Sequence, residues 1–428
     1  MDNETESAGA PPHLRRNVLA WLLWCLLWSA GGRLMALGSV LPALASLLTP
    51  SKLAIGLLGS ADLLRLPTQL LSAWLIRGRP RVLSLCVKSW TLYVVFPLGM
   101  GLALLWPHAG RLTWVIAFWG GIALSAVVAG FALPFDYEVQ GRIFAGRVAM
   151  VSGITNAGVG ITGMAAGFLV AWVLASAPFP ANFGRAFVLA AALYAVSLTG
   201  GYLLREPEPP PSLTTAPKPS LRRLAAAAWR DRGFRGALLV YLCGSLAAGV
   251  GVFYVPAALQ VLRQPITATG LFVSVEAAAG AIAGPAAGIL VQRRGCRFVF
   301  ALGIAAMAVQ LALMARLGSV PEFYIAVALH VAAATWMMIA FMAQVLERAP
   351  VGEKGIHAAL ANVAIAPIVA VGLPLFGALI DHTSYRVAFA VALALPAASL
   401  LGLSAVPAGP PHHAPMAAPD GRRRGPAP

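Results

Sequence analysis

Residues 269–297, TGLFVSVEAAAGAIAGPAAGILVQRRGCR, read as one apolar helix from Gly270 to Val291 that ends in a tight basic loop. A single acid, Glu276, interrupts the apolar run, and small residues recur at Gly280, Gly284 and Gly288 beside Pro285. A twin lies 214 residues upstream, where Gly56 and Leu57 match Gly270 and Leu271, Ser60 matches Ser274, and Asp62 matches Glu276. The upstream helix also ends in a basic turn, Arg77-Gly78-Arg79-Pro80-Arg81. A half-chain repeat with matched acids inside apolar helices predicts two related bundles of membrane helices with a site between them.

Composition agrees. Of 428 residues, 59% are hydrophobic and 11% charged, with mean hydropathy +0.79; a soluble domain carries about 25% charged residues. The +16 net charge would suit a nucleic-acid partner, but its distribution argues otherwise. Of 31 Lys and Arg, 23 fall in or close to one alternate set of loops and termini and 6 in the other, leaving Arg33 and Arg65 deep inside apolar helices. That asymmetry is the positive-inside pattern, which places both termini in the cytoplasm. The four cysteines show no metal-ligand spacing, and none falls in an expected external loop. The apolar run Val18–Leu48 greatly exceeds the ~7–15 residue core of a signal peptide, so it reads as an uncleaved first span.

Six spans are expected at Val18–Leu48, Leu53–Ile76, Val82–Leu105, Thr113–Phe135, Ala149–Ala175 and Arg185–Leu204. Six more follow at Phe234–Ala258, Ala268–Val291, Phe298–Leu317, Glu322–Leu346, Ile356–Ile380 and Arg386–Val406. The fold class is thus an all-α integral membrane protein, twelve transmembrane helices in two pseudo-symmetric six-helix bundles. Residues 18–204 form one bundle and 234–406 the other. Residues 1–17 and 407–428 are expected to be disordered cytoplasmic ends. The connection 205–233 is a cytoplasmic linker, because its proline density forbids a continuous helix. Its last part, Leu221 to Arg232, reads as a basic amphipathic helix with Leu224 and Trp229 toward the headgroups.

Organised in this way, the chain resembles the major facilitator superfamily over nearly everything between Val18 and Val406. That family's signature is a loop after the second span, Gly-x-x-x-Asp-Arg/Lys-x-Gly-Arg-Arg/Lys, with a weaker copy after the eighth. Gly288, Arg293, Gly295 and Arg297 match the second copy, with Gln292 at the acidic position and Cys296 after Gly295. The first copy keeps Arg77, Arg79 and Arg81, while Ala73 and Arg77 replace its Gly and Asp. The resemblance implies that both are gating loops, without the acid that latches the outward-open state in the family. Leu379-Ile380-Asp381-His382 with Ser384-Tyr385-Arg386 resembles the family's eleventh-to-twelfth connection. Gly280, Gly284, Pro285 and Gly288 resemble part of an antiporter motif that belongs on the fifth span; the alternative is close helix packing through small residues.

Charges inside a bilayer persist when paired or facing water, which makes them candidate site residues. Asp62 lies roughly 14 Å into its span at 1.5 Å per residue, with Arg65 at i+3 and Gln69 at i+7 on one face and Arg33 within reach from the first span. These residues either lock helices together or bind an ion. Glu276 has no basic partner in its own span. It either exchanges a proton, hydrogen-bonds to a neighbouring helix, or reaches the external surface. Asn156, Gln310, His330, Gln344 and Asn362 are isolated polar residues, each an interhelical hydrogen bond or a ligand. Trp21, Trp24 and Trp28 at helical spacing form a lipid-facing or packing stripe, and Pro42, Pro134, Pro256, Pro367 and Pro374 are expected to kink helices.

There is no Walker loop, catalytic triad pattern or metal-spaced His pair, so neither an enzyme nor a cofactor is implied. The reading is a monomeric secondary transporter of a small solute in a bacterial inner membrane. It is proton-coupled, with efflux favoured over uptake, and its partners are the solute, protons and the lipid bilayer. The alternative is a membrane receptor or assembly factor of the same fold that has lost transport.

Overall fold

The computed structural model describes residues 13–76, 79, 81–144, 147–207, 229–348 and 354–407. Residues 1–12, most of the linker (208–228), the tail from 408, and Arg77, Gly78 and Pro80 lie outside the described residues. Among those described, all regular secondary structure is helical and groups into twelve helical segments, read as spans. The first half comprises Leu14–Arg33 with Val40–Leu48, then Lys52–Ile76, Leu83–Leu105, Arg111–Ile143, Val148–Ala175 and Ala181–Leu203. The second comprises Arg232–Val250 with Tyr254–Gln260, then Ala268–Arg294, Cys296–Arg316, Val320–Arg348, Lys354–His382, and Tyr385–Ala392 with Ala394–Leu403.

Ten of these spans are long and apolar enough to cross a membrane on length and composition alone. The remaining two are the first and second spans, which carry Arg33 and Arg65. The first is cut at Arg33, and the second carries Lys52 and Arg65 as well as the acid at position 62.

The breaks in the first and seventh spans are counterparts. After Arg33 the chain tightens, with Leu34, Met35 and Ala36 each donating to the carbonyl three residues back. The seventh span makes the same adjustment as a 3₁₀ turn, Gly251–Phe253. Each then restarts with proline as its third residue, Pro42 and Pro256, where a missing N–H costs no helical hydrogen bond. These prolines are 214 residues apart, the same offset as the acids. The helix pairing repeats too. Contacts of spans 1–6, 1–5, 2–4, 3–4 and 3–6 recur as 7–12, 7–11, 8–10, 9–10 and 9–12.

The fourth span corrects an expected boundary. The sequence suggested a loop from Asp136, but the helix continues to Ile143. Phe135, Val139 and Ile143, spaced four apart, extend its buried stripe at no more than 1% exposure. On another face Glu138 accepts from Arg142 at i+4, 2.7 Å apart, so the charged residues support the helix. Asp136 therefore lies within a helix and not in a connection.

The halves meet along spans 2 and 11 and along spans 5 and 8. Glycines set both approaches. A Cβ on Gly56 would lie 2.5 Å from the Leu373 carbonyl oxygen, and one on Gly270 would meet Gly167 and Ala171. The twin serines tie the same seams, Ser60 donating to the Ala370 carbonyl and Ser274 to that of Met164 at 3.0 Å. All of these contacts lie toward the face opposite the termini. The stripe on the eighth span that packs on the fifth, Gly270, Ser274, Ala277 and Ala281, continues as Gly284 and Gly288. There the expectation of close packing fails, because a Cβ on Gly284, Gly288 or Gly153 would meet nothing within 4 Å. Spans 5 and 8 have diverged, and the cleft between the halves opens toward the termini.

Candidate functional site

The cleft holds a central cavity of about 430 Å³ between the halves. The first span supplies its turn, Leu37 and Gly38, because the helix break there removes side-chain bulk. Arg65 and Gln69 enter from the second span, one turn apart. Tyr241 and Ser245 enter from the seventh at the same spacing, and His330 from the tenth. The rest of the lining is apolar, with Val369 and Leu373 of the eleventh span at the closed end.

His330 has a defined orientation. Its Nδ1 lies 3.0 Å from Gln310 Oε1, which also accepts from the Tyr254 hydroxyl at 2.8 Å. Gln310 is thus an interhelical hydrogen bond, whereas His330 is both that and a cavity wall.

Glu276 lies directly behind Gly38, where a Cβ would come 2.9 Å from its Oε1. The cation absent from its own span comes from the first, with Arg33 Nη1 4.0 Å from Glu276 Oε2 and 27% and 14% of the two side chains exposed. The sequence placed Arg33 within reach of the second span's acid; in the structure it pairs across the boundary between the halves. The Asp62 and Asn362 side chains lie outside what is described. Asn156 is exposed and lines a different cavity. Sequence reasoning missed Tyr241 and Ser245, which resemble any other residue of an apolar span.

Polar contacts gather at both faces, but only at the closed face do they join the two halves. At the closed face Asp381 of the eleventh span caps the second. Its carboxylate accepts from the Lys52 N–H at 2.8 Å, the Leu53 N–H at 3.1 Å and the Ser51 hydroxyl at 3.1 Å. An acid at a helix N-terminus satisfies otherwise orphaned donors and complements the helix dipole. Here cap and helix belong to different halves, so the contact must break when this face opens. Replacing Asp381 by Ala is expected to weaken closure by about 1 kcal/mol, the usual value of a cap, or roughly fivefold. The check is a cysteine placed at Ser245, labelled by an impermeant thiol reagent added at that face. An unchanged rate relative to the Asp381 parent would show that the cap is ornamental to closure.

At the termini face Glu206, read from the sequence as linker, accepts from the N–H groups of Val82 and Leu83, 3.0 Å from each at its Oε2. It also holds Arg142 at 3.0 Å, and Arg142 in turn reaches the Arg79 carbonyl at 3.2 Å. A residue beyond the sixth span thus anchors the start of the third beside the first basic loop. In the second loop Gly295 occupies φ 84°, ψ 168°, a conformation essentially confined to glycine, and turns the chain directly from the eighth span into the ninth. Arg294 stacks over Phe298 at 5.6 Å. No ion pair of Arg293 or Arg297 is present among the described residues.

The sequence of residues 247–427 matches the model of the Major Facilitator Superfamily. No curated protein matches the chain by sequence. Solved structures match it almost end to end. The nucleoside transporter NupG is similar at TM-score 0.73 and 11% identity, over 91% of this chain and 100% of that one. A D-xylose-proton symporter follows at 0.70 and 14%, over 92% and 98%. A bacterial homolog of the human lysosomal transporter Spinster, inward-facing and unoccupied, matches at 0.59 and 17%, over 93% and 95%. At such identities these likenesses concern the fold. The second half of the chain thus matches the Major Facilitator Superfamily by sequence, and the whole chain is a multi-pass membrane protein that shares the fold of these transporters.

Proposed function

We propose that the protein is a secondary transporter that carries a small solute by alternating access and couples it to protons through Glu276. The observation that carries this reading is the asymmetric cleft. The halves are latched and glycine-packed at one face and parted at the other, with polar groups converging between them. Glu276 and Arg33 belong to different halves, so any rocking of the halves alters their 4.0 Å separation. A carboxylate whose counter-charge moves with the conformation favours a proton in the state where that charge is distant. The described cleft is then the cytoplasm-facing state, since the Lys and Arg bias assigns the termini to the cytoplasm.

Efflux is favoured over uptake by the apolar, aromatic character of the spans and by Gly280-x-x-x-Gly284-Pro285 on the eighth. The protein works as a monomer in a bacterial inner membrane, and the basic loops around Arg79, Arg81, Arg293 and Arg297 gate the cytoplasmic end. Flux into reconstituted vesicles under pH gradients of both signs tests the coupling. Orientation is tested by reporter fusions, expected cytoplasmic after Leu204 and external at Lys52 and Arg263. A cytoplasmic signal at Lys52 would reverse the assignment of the faces.

A further inference from the structure

A second cavity, of about 390 Å³, lies within the first half toward the termini and shares no lining residue with the central one. The tryptophan stripe of the first span forms its wall. Trp21, Trp24 and Trp28 line it together with Trp90 of the third span. Trp21 and Trp24 are each 4% exposed and Trp90 8%, so this face belongs to the protein interior and not to lipid. The rings brace one another, Trp28 edge-on to Trp90 at 4.7 Å and Trp21 tilted against Trp24 at 5.7 Å. Mutual packing of this kind fixes the wall before any ligand arrives.

Asp136 of the fourth span lines the same space. Among the described residues its one hydrogen-bond contact is the Cys86 thiol at 4.0 Å, a weak donor. The nearby cation on its own helix, Arg142, is held by Glu138 and Glu206. Among the described residues no Lys, Arg or His lines the cavity, and its fifth-span side carries Ser152 and the exposed Asn156. An acid inside a membrane bundle is expensive unless something meets its charge. Indole faces attract cations, most strongly where water is excluded. An anion would be repelled here, and a neutral ligand would leave the carboxylate unanswered.

We infer that this cavity binds an organic cation with an apolar body, its charge against Asp136 and its body against the tryptophan wall. Because this cavity is separate from the central one, the inference stands or falls independently of the transport reading. The probe is tetraphenylphosphonium, with tetraphenylborate as the anion of like shape, measured by equilibrium dialysis against the purified full-length chain in detergent. The cation is expected to bind saturably and the borate at least about tenfold more weakly, against the bias of the chain's positive net charge. Asp136→Asn should lower cation affinity by at least about tenfold, as when one partner of a charge pair is removed from a desolvated site, and Asp136→Glu should retain most of it. Ser152→Phe fills the cavity from the fifth span, leaves Asp136 in place and should abolish binding, which keeps the test sharp if Asp136→Asn does not fold. Unchanged cation affinity in folded Asp136→Asn or in Ser152→Phe, or equal affinity for the borate, overturns the site. A chain that carries solute across vesicles yet fails these binding tests would overturn the site and leave the transport reading standing.

Discussion

Glu276→Gln is expected to exchange labelled solute across a vesicle membrane at close to the parent rate, yet to fail entirely to concentrate it under a pH gradient. One pH unit is worth about 1.36 kcal/mol, or tenfold accumulation per coupled proton, so the parent should approach that ratio and the variant should stay at unity. The amide preserves the shape of the protonated acid behind Gly38 but cannot release a proton. Arg33 then loses its charge partner in every conformation. That loss is tolerable, because its side chain is 27% exposed and open to hydration, whereas a fully buried orphan would be strongly destabilising. Asp62→Asn, at the matching position of the repeat, should behave differently. Its sequence spacing pairs it with Arg65 on the same helix, so both exchange and accumulation should fall. Normal pH-driven accumulation by Glu276→Gln would end the coupling assignment.

The second large effect concerns the glycine seam of spans 5 and 8, where two equivalent substitutions should trap opposite states. Gly270→Val places branched bulk where even a Cβ meets the Gly167 backbone and lies 2.5 Å from the Ala171 Cβ. Overpacking of this kind costs about 1–3 kcal/mol, and here the closed seam bears all of it. The cleft should therefore open at the face away from the termini, with exchange reduced roughly tenfold to a hundredfold. Gly284→Val, further along the same stripe, meets nothing within 4 Å in the present state. It should fold and bind normally, yet lose exchange to a similar extent, because the parted ends could no longer close. Impermeant thiol labelling of a cysteine at Ser245 from each face reads both outcomes, with accessibility rising at the far face in the first variant and remaining at the termini face in the second. Wild-type exchange by Gly284→Val would mean that spans 5 and 8 never close at that end.

The membrane class and the all-α multi-pass fold were legible in the chain. Each rests on a property local in sequence: the length of an apolar run, the Lys and Arg content of a loop, a spacing repeated at a fixed offset. The resemblance to a known family added the position of the gating loops. It could not show that Glu206 and Arg142 would hold the first of them in place without the family's acid.

What the chain alone left undecided was which way each helix faces. In a soluble helix the polar side marks the surface, but here lipid and core accept the same side chains. Ile282 is 73% exposed and its neighbour Ala283 is 3%, with nothing in their chemistry to separate them. For the same reason the tryptophan stripe could not be assigned to lipid or interior, and Asp136 was taken for the edge of a loop. Only packing brought Arg33 to Glu276, 243 residues later in the chain, and His330 to Gln310 and Tyr254. Hydropathy therefore determined where the chain crosses the membrane, while tertiary structure alone decided which side chains meet inside it, because the rotation of an apolar helix is set by its neighbours and not by its own sequence.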